Sequence, residues 1–169
     1  MNSFPRIILP VILVIVAIAA FVWSCRIPSD SQVQARFIRD KAVLTLLLDR
    51  FSQEPPRIVG ITKDDVMVDD TFNWVTPEKA NFSRIRFFEY KALMDQAHVI
   101  QLFRADDGIH FAIAGAGFAS NGWRLDFTYT KIAPSPLVQS IDSPPRLISE
   151  DGVVIYRSLG DDWYIRLYY

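Results

Sequence analysis

The stretch Trp123-Arg-Leu-Asp-Phe-Thr-Tyr-Thr130 alternates large apolar with polar side chains at every step. A period of two marks a β-strand with one face in the core and one face wet. Asn121-Gly122 stands directly before it. Asn-Gly favours a tight hairpin turn because both positions accept positive φ. The same period continues upstream, where Val99 to Arg104 reads as a strand, Ala105-Asp106-Asp107-Gly108 as a turn, and Ile109 to Ala116 as the returning strand. Downstream, Val153 to Ser158 and Trp163 to Tyr168 flank Leu159-Gly160-Asp161-Asp162 as a last hairpin. Consecutive hairpins predict a meandering antiparallel sheet. Gly115 and Gly117, set among Ala112, Ala114 and Ala116, predict a bulge or a close helix crossing.

Two helices precede this sheet. Val33, Phe37, Leu44, Leu47, Leu48 and Phe51 fall on one stripe at 100° per residue, after helix-capping residues Ser29 to Ser31. Glu54-Pro55-Pro56 ends that helix. Asp40 projects into the stripe one turn from Arg36, which reads as an ion pair at the edge of the core. A short hairpin follows, with Arg57 to Thr62, a Lys63-Asp64-Asp65 turn and Val66 to Val68. Thr76-Pro77-Glu78 then offers an N-cap, a proline at N1 and an acidic first turn. A second helix is predicted within Pro77 to Ala97, with a restart near Ser83. Its Ile85, Phe87, Phe88, Tyr90, Ala92, Leu93 and Met94 predict packing around most of its girth. Ala133 to Arg146, with four prolines and several serines, reads as an extended loop.

The amino terminus has a different character. Ile7 to Trp23 contains no charged residue, and its 17 residues would make a helix of roughly 26 Å, the short end of a bilayer span. Pro10 falls in its first turn and Trp23 at its end, where an interfacial aromatic belongs. The predicted fold is therefore α+β: an N-terminal transmembrane helix, then two helices packed on a meandering antiparallel sheet. Residues 1–29 form the membrane anchor or signal segment, and residues 30–169 form one globular domain. Val22-Trp23-Ser24-Cys25 resembles a bacterial lipobox, although tryptophan departs from the pattern at the middle position. That resemblance implies lipidation of Cys25 after removal of the preceding residues. An uncleaved anchor and an ordinary cleaved signal peptide, with Ala17-Ile18-Ala19 as its small-x-small site, are the other readings.

The side of the membrane is set by competing signals. Arg26, Arg36, Arg39 and Lys41 follow the apolar run while only Arg6 precedes it, which favours a cytoplasmic domain. The short amino-terminal tail and the absence of cysteine after Cys25 favour a domain outside the cytoplasm, and the balance is read that way. The domain carries 16 basic and 19 acidic residues, so no basic excess points to nucleic acid.

Chemical motifs are sparse. Asp64, Asp65, Asp69 and Asp70 lack the spacing of a calcium loop and read as turn carboxylates. His98 and His110 are the only histidines, too few with Cys25 for a zinc set. No Gly-x-Ser-x-Gly elbow is present, and Gly115-Ala-Gly117 lacks the third glycine of a dinucleotide fingerprint. No cofactor, metal or catalytic residue is expected. Tyr156, Tyr164, Arg166, Tyr168 and Tyr169 form an aromatic and basic set of the kind enriched at binding surfaces. The expected function is a non-catalytic interaction domain, envelope-accessory or immunity-like, held at a membrane by residues 7–24 and binding a protein partner. The alternative is a membrane-anchored hydrolase in which His98 or His110 meets a hydroxyl or carboxylate.

Overall fold

The computed structural model describes residues 27–69, 73–118, 121–142 and 152–168. It is an α+β fold in which two helices pack on one face of an antiparallel sheet. Helix α1 spans Asp30–Ser52 and α2 spans Arg84–Gln96. The strands are β1 (Ile58–Thr62), β2 (Val66–Val68), β3 (Asn73–Val75), β4 (Gln101–Ala105), β5 (Gly108–Phe118), β6 (Asn121–Tyr129), β7 (Val154–Gly160) and β8 (Trp163–Tyr168). They form a single sheet in the order β3-β2-β1-β4-β5-β6-β8-β7, with every pair antiparallel. Among the described residues no helix is long and apolar enough to cross a membrane. The run Ile7 to Trp23 and Cys25 lie outside the described residues.

Helix α1 starts where its capping chemistry sits. The Ser29 N–H donates to the Gln32 side-chain carbonyl at 3.0 Å, which satisfies one orphan donor. Its apolar stripe is buried in full: Val33, Phe37, Leu44, Leu47, Leu48 and Phe51 join the core. Phe37 meets Phe127 of β6 and Trp163 of β8, with ring centroids 5.3 and 5.5 Å away. Asp40, buried in the same stripe, accepts two hydrogen bonds from Arg39 at 2.7 and 2.8 Å. Arg36 lies farther from it, at 3.8 Å, and donates instead to the carbonyls of Ile113, Ala97 and His98.

Helix α2 begins at Arg84, not at the Thr76-Pro77-Glu78 signal. Residues 77–81 form a turn that ends at Asn81, whose φ of 49° breaks a right-handed helix. Ser83 then caps the restart, its hydroxyl accepting from the Arg86 N–H. The expectation that α2 is packed around its girth is not met. Phe87, Tyr90 and Met94 are buried, whereas Ile85 and Phe88 stand in solvent. One side of α2 meets α1 and the sheet, and no described segment covers the other.

The sheet follows the hairpin reading closely, with β3 as an addition at one edge. The expected irregularity in β5 is a register shift between Ala112 and Ala114. The close approach at Gly115 is to a neighbouring strand and not to a helix: a Cβ there would lie 3.1 Å from the Trp123 carbonyl oxygen. At the other edge, the proline-rich loop runs beside β7. The Tyr156 N–H donates to the Pro136 carbonyl and the Val138 N–H to the Tyr156 carbonyl, which occupies part of an otherwise open strand edge. Ile141 then enters the core, and Asp142 accepts from the Asp30 N–H at the start of α1. The loop is thus a strap with a fixed course up to Asp142.

The turn between β4 and β5 depends on Gly108. Its φ is 140°, and a Cβ there would sit 2.5 Å from the Tyr129 carbonyl oxygen. Gly160 also has positive φ, at 88°, but a Cβ there would meet nothing within 4 Å. Gly108→Ala is therefore expected to lower unfolding free energy by about 1–3 kcal/mol, and more than Gly160→Ala does. Equal losses in urea denaturation would show that the close approach is not what requires glycine at position 108.

Candidate functional site

Among the described residues, the densest group of interacting polar side chains lies on the sheet face turned away from the helices. Register places them in two cross-strand rows. Phe103, His110, Thr128 and Tyr164 form one, and Ala112, Asp126, Arg166 and Tyr156 the other. The expectation for β6 was a wet outer face with Arg124, Asp126 and Thr128 in water. Instead His110, Asp126 and Thr128 are completely inaccessible, and Tyr156 is buried with them.

Asp107 lies across this group. Its Oδ1 is 2.8 Å from His110 Nε2, while Oδ2 accepts from the Tyr156 hydroxyl and lies 3.4 Å from Arg166 Nε. Tyr156 is on β7, three strands from β5. In a flat sheet that separation would be about 14 Å. The long Tyr156 and Arg166 side chains, together with the ordinary twist of the sheet and the course of the β4–β5 turn, bridge that distance. Gly108 allows that turn.

Charge is balanced inside the cluster. Arg166 donates to Asp126 at 3.0 Å and to the Tyr156 hydroxyl at 3.3 Å. Arg124 Nε lies 3.1 Å from Asp126 Oδ1, and its guanidinium stacks on Phe103 at 4.7 Å. Phe103 in turn stacks on the His110 ring at 4.7 Å. Burial lowers the His110 pKa, against the pull of Asp107 in the opposite direction. The ring is thus neutral near pH 7. A carboxylate can only accept, so Nε2 carries the proton and Nδ1 accepts from the Thr128 hydroxyl at 2.9 Å. Burial works against ionisation of Asp107, but the Tyr156 hydroxyl, His110 and Arg166 outweigh it and hold the carboxyl below its ordinary range. Burial and the bond to Asp107 push the Tyr156 hydroxyl up, so it stays a donor.

The chain Thr128 hydroxyl, His110, Asp107 has the connectivity of a nucleophile, base and orienting acid. His110 and Thr128 are nonetheless sealed from solvent, so a substrate has no approach to either. His98, the other histidine, sits in an exposed turn after α2 with φ 52° and takes no part. Among the described residues no group of histidine, cysteine, aspartate and glutamate could hold a metal ion. Asp64, Asp65 and Asp69 lie in and beside the β1–β2 hairpin, and Asp70 is outside the described residues.

The aromatic and basic set divides in two. Tyr156 and Arg166 belong to the buried cluster, while Tyr164 is half-buried and Tyr168 exposed beside them on β8. Tyr169 is outside the described residues. The residues that sequence reasoning passed over are Asp107, Asp126 and Thr128. The available signal was a charge at mid-strand Asp126 opposite Arg166 and a hydroxyl at Thr128 opposite His110; Asp107 lies in a turn and gave none.

A second polar feature is a cleft of about 180 Å³ between the end of α1 and α2, lined by Arg50, Gln53, Glu54, Arg86, Glu89 and Tyr90. Glu54, buried at its base, accepts from Tyr90 at 3.0 Å and from Arg86. Arg50 pairs with Glu89 at 2.6 Å across the rim. Burial and Glu54 push the Tyr90 hydroxyl well up, so it too remains a donor.

Comparison with known proteins returns no relative: no family model, curated protein or solved structure matches the chain.

Two outcomes follow from the cluster. Asp126→Ala removes the carboxylate that serves Arg124 and Arg166, and is expected to cost about 3–5 kcal/mol in denaturant unfolding. A loss below about 1 kcal/mol would show the pair to be dispensable, as at a solvated surface. Acid should also destabilise the fold in two stages. His110 titrates below its unfolded value, so its stability is complete above about pH 6.5 and erodes as pH falls further. Asp107 adds a second loss below about pH 4, because its folded pKa also lies beneath the unfolded one. His110→Gln should flatten the first stage alone, measured as the urea midpoint against pH.

Proposed function

We propose that the chain is a membrane-tethered, non-catalytic interaction domain. Residues 7–24 hold it at the bilayer, its globular part lies outside the cytoplasm, and it binds a protein partner. The observation that carries this reading is how the side chains are used. The groups with catalytic chemistry satisfy one another in a closed cluster. Large apolar or aromatic side chains are exposed near that face: Tyr168 on β8, Leu137 on the strap beside β7, and Ile132 just after β6. Such residues gain free energy when a partner removes them from water, and tyrosine is favoured at binding surfaces. A tether adds to this by raising the local concentration of partners in the same membrane.

The test is a photo-crosslinking amino acid at Tyr168, with one at Asp64 on the far side of the sheet as control. Illumination of membranes should give a discrete adduct from position 168 and none from position 64. Absence of an adduct from position 168, and from Leu137, would overturn the reading. Intact mass of the membrane-extracted protein separates the two forms of tether. A full-length mass is expected; a chain lacking residues 1–24 and carrying acyl groups would make Cys25 the anchor.

The hydrolase alternative rests on the Thr128–His110–Asp107 connectivity. A fluorophosphonate probe should leave Thr128 unmodified. An adduct on Thr128 that disappears in His110→Ala would replace the interaction reading with an enzymatic one.

A further inference from the structure

The two helices carry apolar side chains on the sides that face away from the sheet. Ile38 is 68% exposed and Leu46 42% exposed on α1, and on α2 the values are 74% for Ile85 and 55% for Phe88. At 100° per residue, Ala35, Ile38, Ala42 and Leu46 lie opposite the buried stripe of α1. Ile85, Phe88 and Ala92 lie opposite Phe87, Tyr90 and Met94 on α2. Arg50 and Glu89 join the helices at 2.6 Å, with Leu46 one turn before Arg50 and Ile85 one turn before Glu89. The two stripes thus open on the same side of the molecule.

We infer that this helical face lies on the surface of an anionic bilayer, with Ile38, Leu46, Ile85 and Phe88 dipping into its interface. The inference rests on the membrane-tethered reading above. Two observations select lipid as the occupant. First, only six residues lie between Trp23 and Asp30, where α1 begins, a reach of about 23 Å even when extended. A domain on so short a lead cannot leave the membrane surface, and the start of its first helix is the part nearest to it. Second, charge is unevenly distributed. The two helices hold seven basic and five acidic residues, one of the acidic ones being the buried Asp40. The described residues outside the two helices hold eight basic and eleven acidic. An anionic surface therefore attracts the helical side and repels the sheet side. Apolar residues flanked by exposed arginines, here Arg39 and Arg84, are what a helix lying in the interface presents.

The experiment uses the full chain in nanodiscs, with a polarity-sensitive fluorescent amino acid at Phe88 and, as control, at Asp64. Discs contain either phosphatidylcholine alone or an equimolar mixture with phosphatidylglycerol, each with and without brominated acyl chains. In the mixed discs, emission from position 88 should shift to the blue and be quenched by bromine. The shift should weaken in phosphatidylcholine discs and in high salt, and position 64 should stay water-like throughout. If the chain enters the discs but position 88 remains water-like, the docking inference falls while the tether stands. If the chain does not enter discs at all, the tether reading falls and takes the docking with it. A blue shift seen only with two chains per disc would assign the face to a second copy of the chain and overturn the lipid assignment.

Discussion

The carboxylate of Asp107 ties together side chains from three strands on the outer face of the sheet. It lies in the β4–β5 turn and reaches a histidine on β5, a tyrosine on β7 and an arginine on β8. Adjacent strands are already joined by backbone hydrogen bonds. Asp107 instead links β5 to β7 and β8, which are not its neighbours in the sheet. The dry helical face could tolerate many curvatures with small repacking. The polar face is more constrained, because His110, Tyr156 and Arg166 each depend on a partner outside their own strand.

That dependence also fixes register. A one-residue slip of β8 against β6 would carry Arg166 to the helix side and bring Ile165 beside Asp126. Buried ion pairs add little net stability compared with apolar residues of similar shape, since desolvation offsets most of their attraction. Their effect lies in how costly the wrong pairings become. An outer face of apolar residues would have covered the same area but would have discriminated less between registers.

Much of the scaffold was legible in the chain, and the reasons are local. The α1 stripe from Val33 to Phe51, the Ser83 restart and the strands from Gln101 to Tyr168 all rest on periodicity and capping, which neighbouring residues determine. The errors came where a long-range fact decides. Arg124, Asp126 and Thr128 have the alternation of a solvated face, and only side chains from other strands, Arg166 and His110, put Asp126 and Thr128 in the dark. Phe88 and Ile85 have the composition of buried residues, and only the absence of any described segment beyond α2 leaves them exposed. β3 was missed because three residues set no period. The cluster itself was half legible: Tyr156 and Arg166 were singled out, but as a surface and not as partners of Asp107.

The same facts bear on how polar chemistry can mislead. A histidine between a hydroxyl and a carboxylate is the first thing a search for catalysis finds. Here His110 is stacked on Phe103, and Phe103 is covered in turn by Arg124. An active base needs its free nitrogen to point at a substrate, or at a nucleophile that a substrate can reach. Both nitrogens of His110 are already occupied, and Thr128 has no exposed surface. The arrangement is what a neutral histidine needs to survive burial, with one donor bond and one acceptor bond.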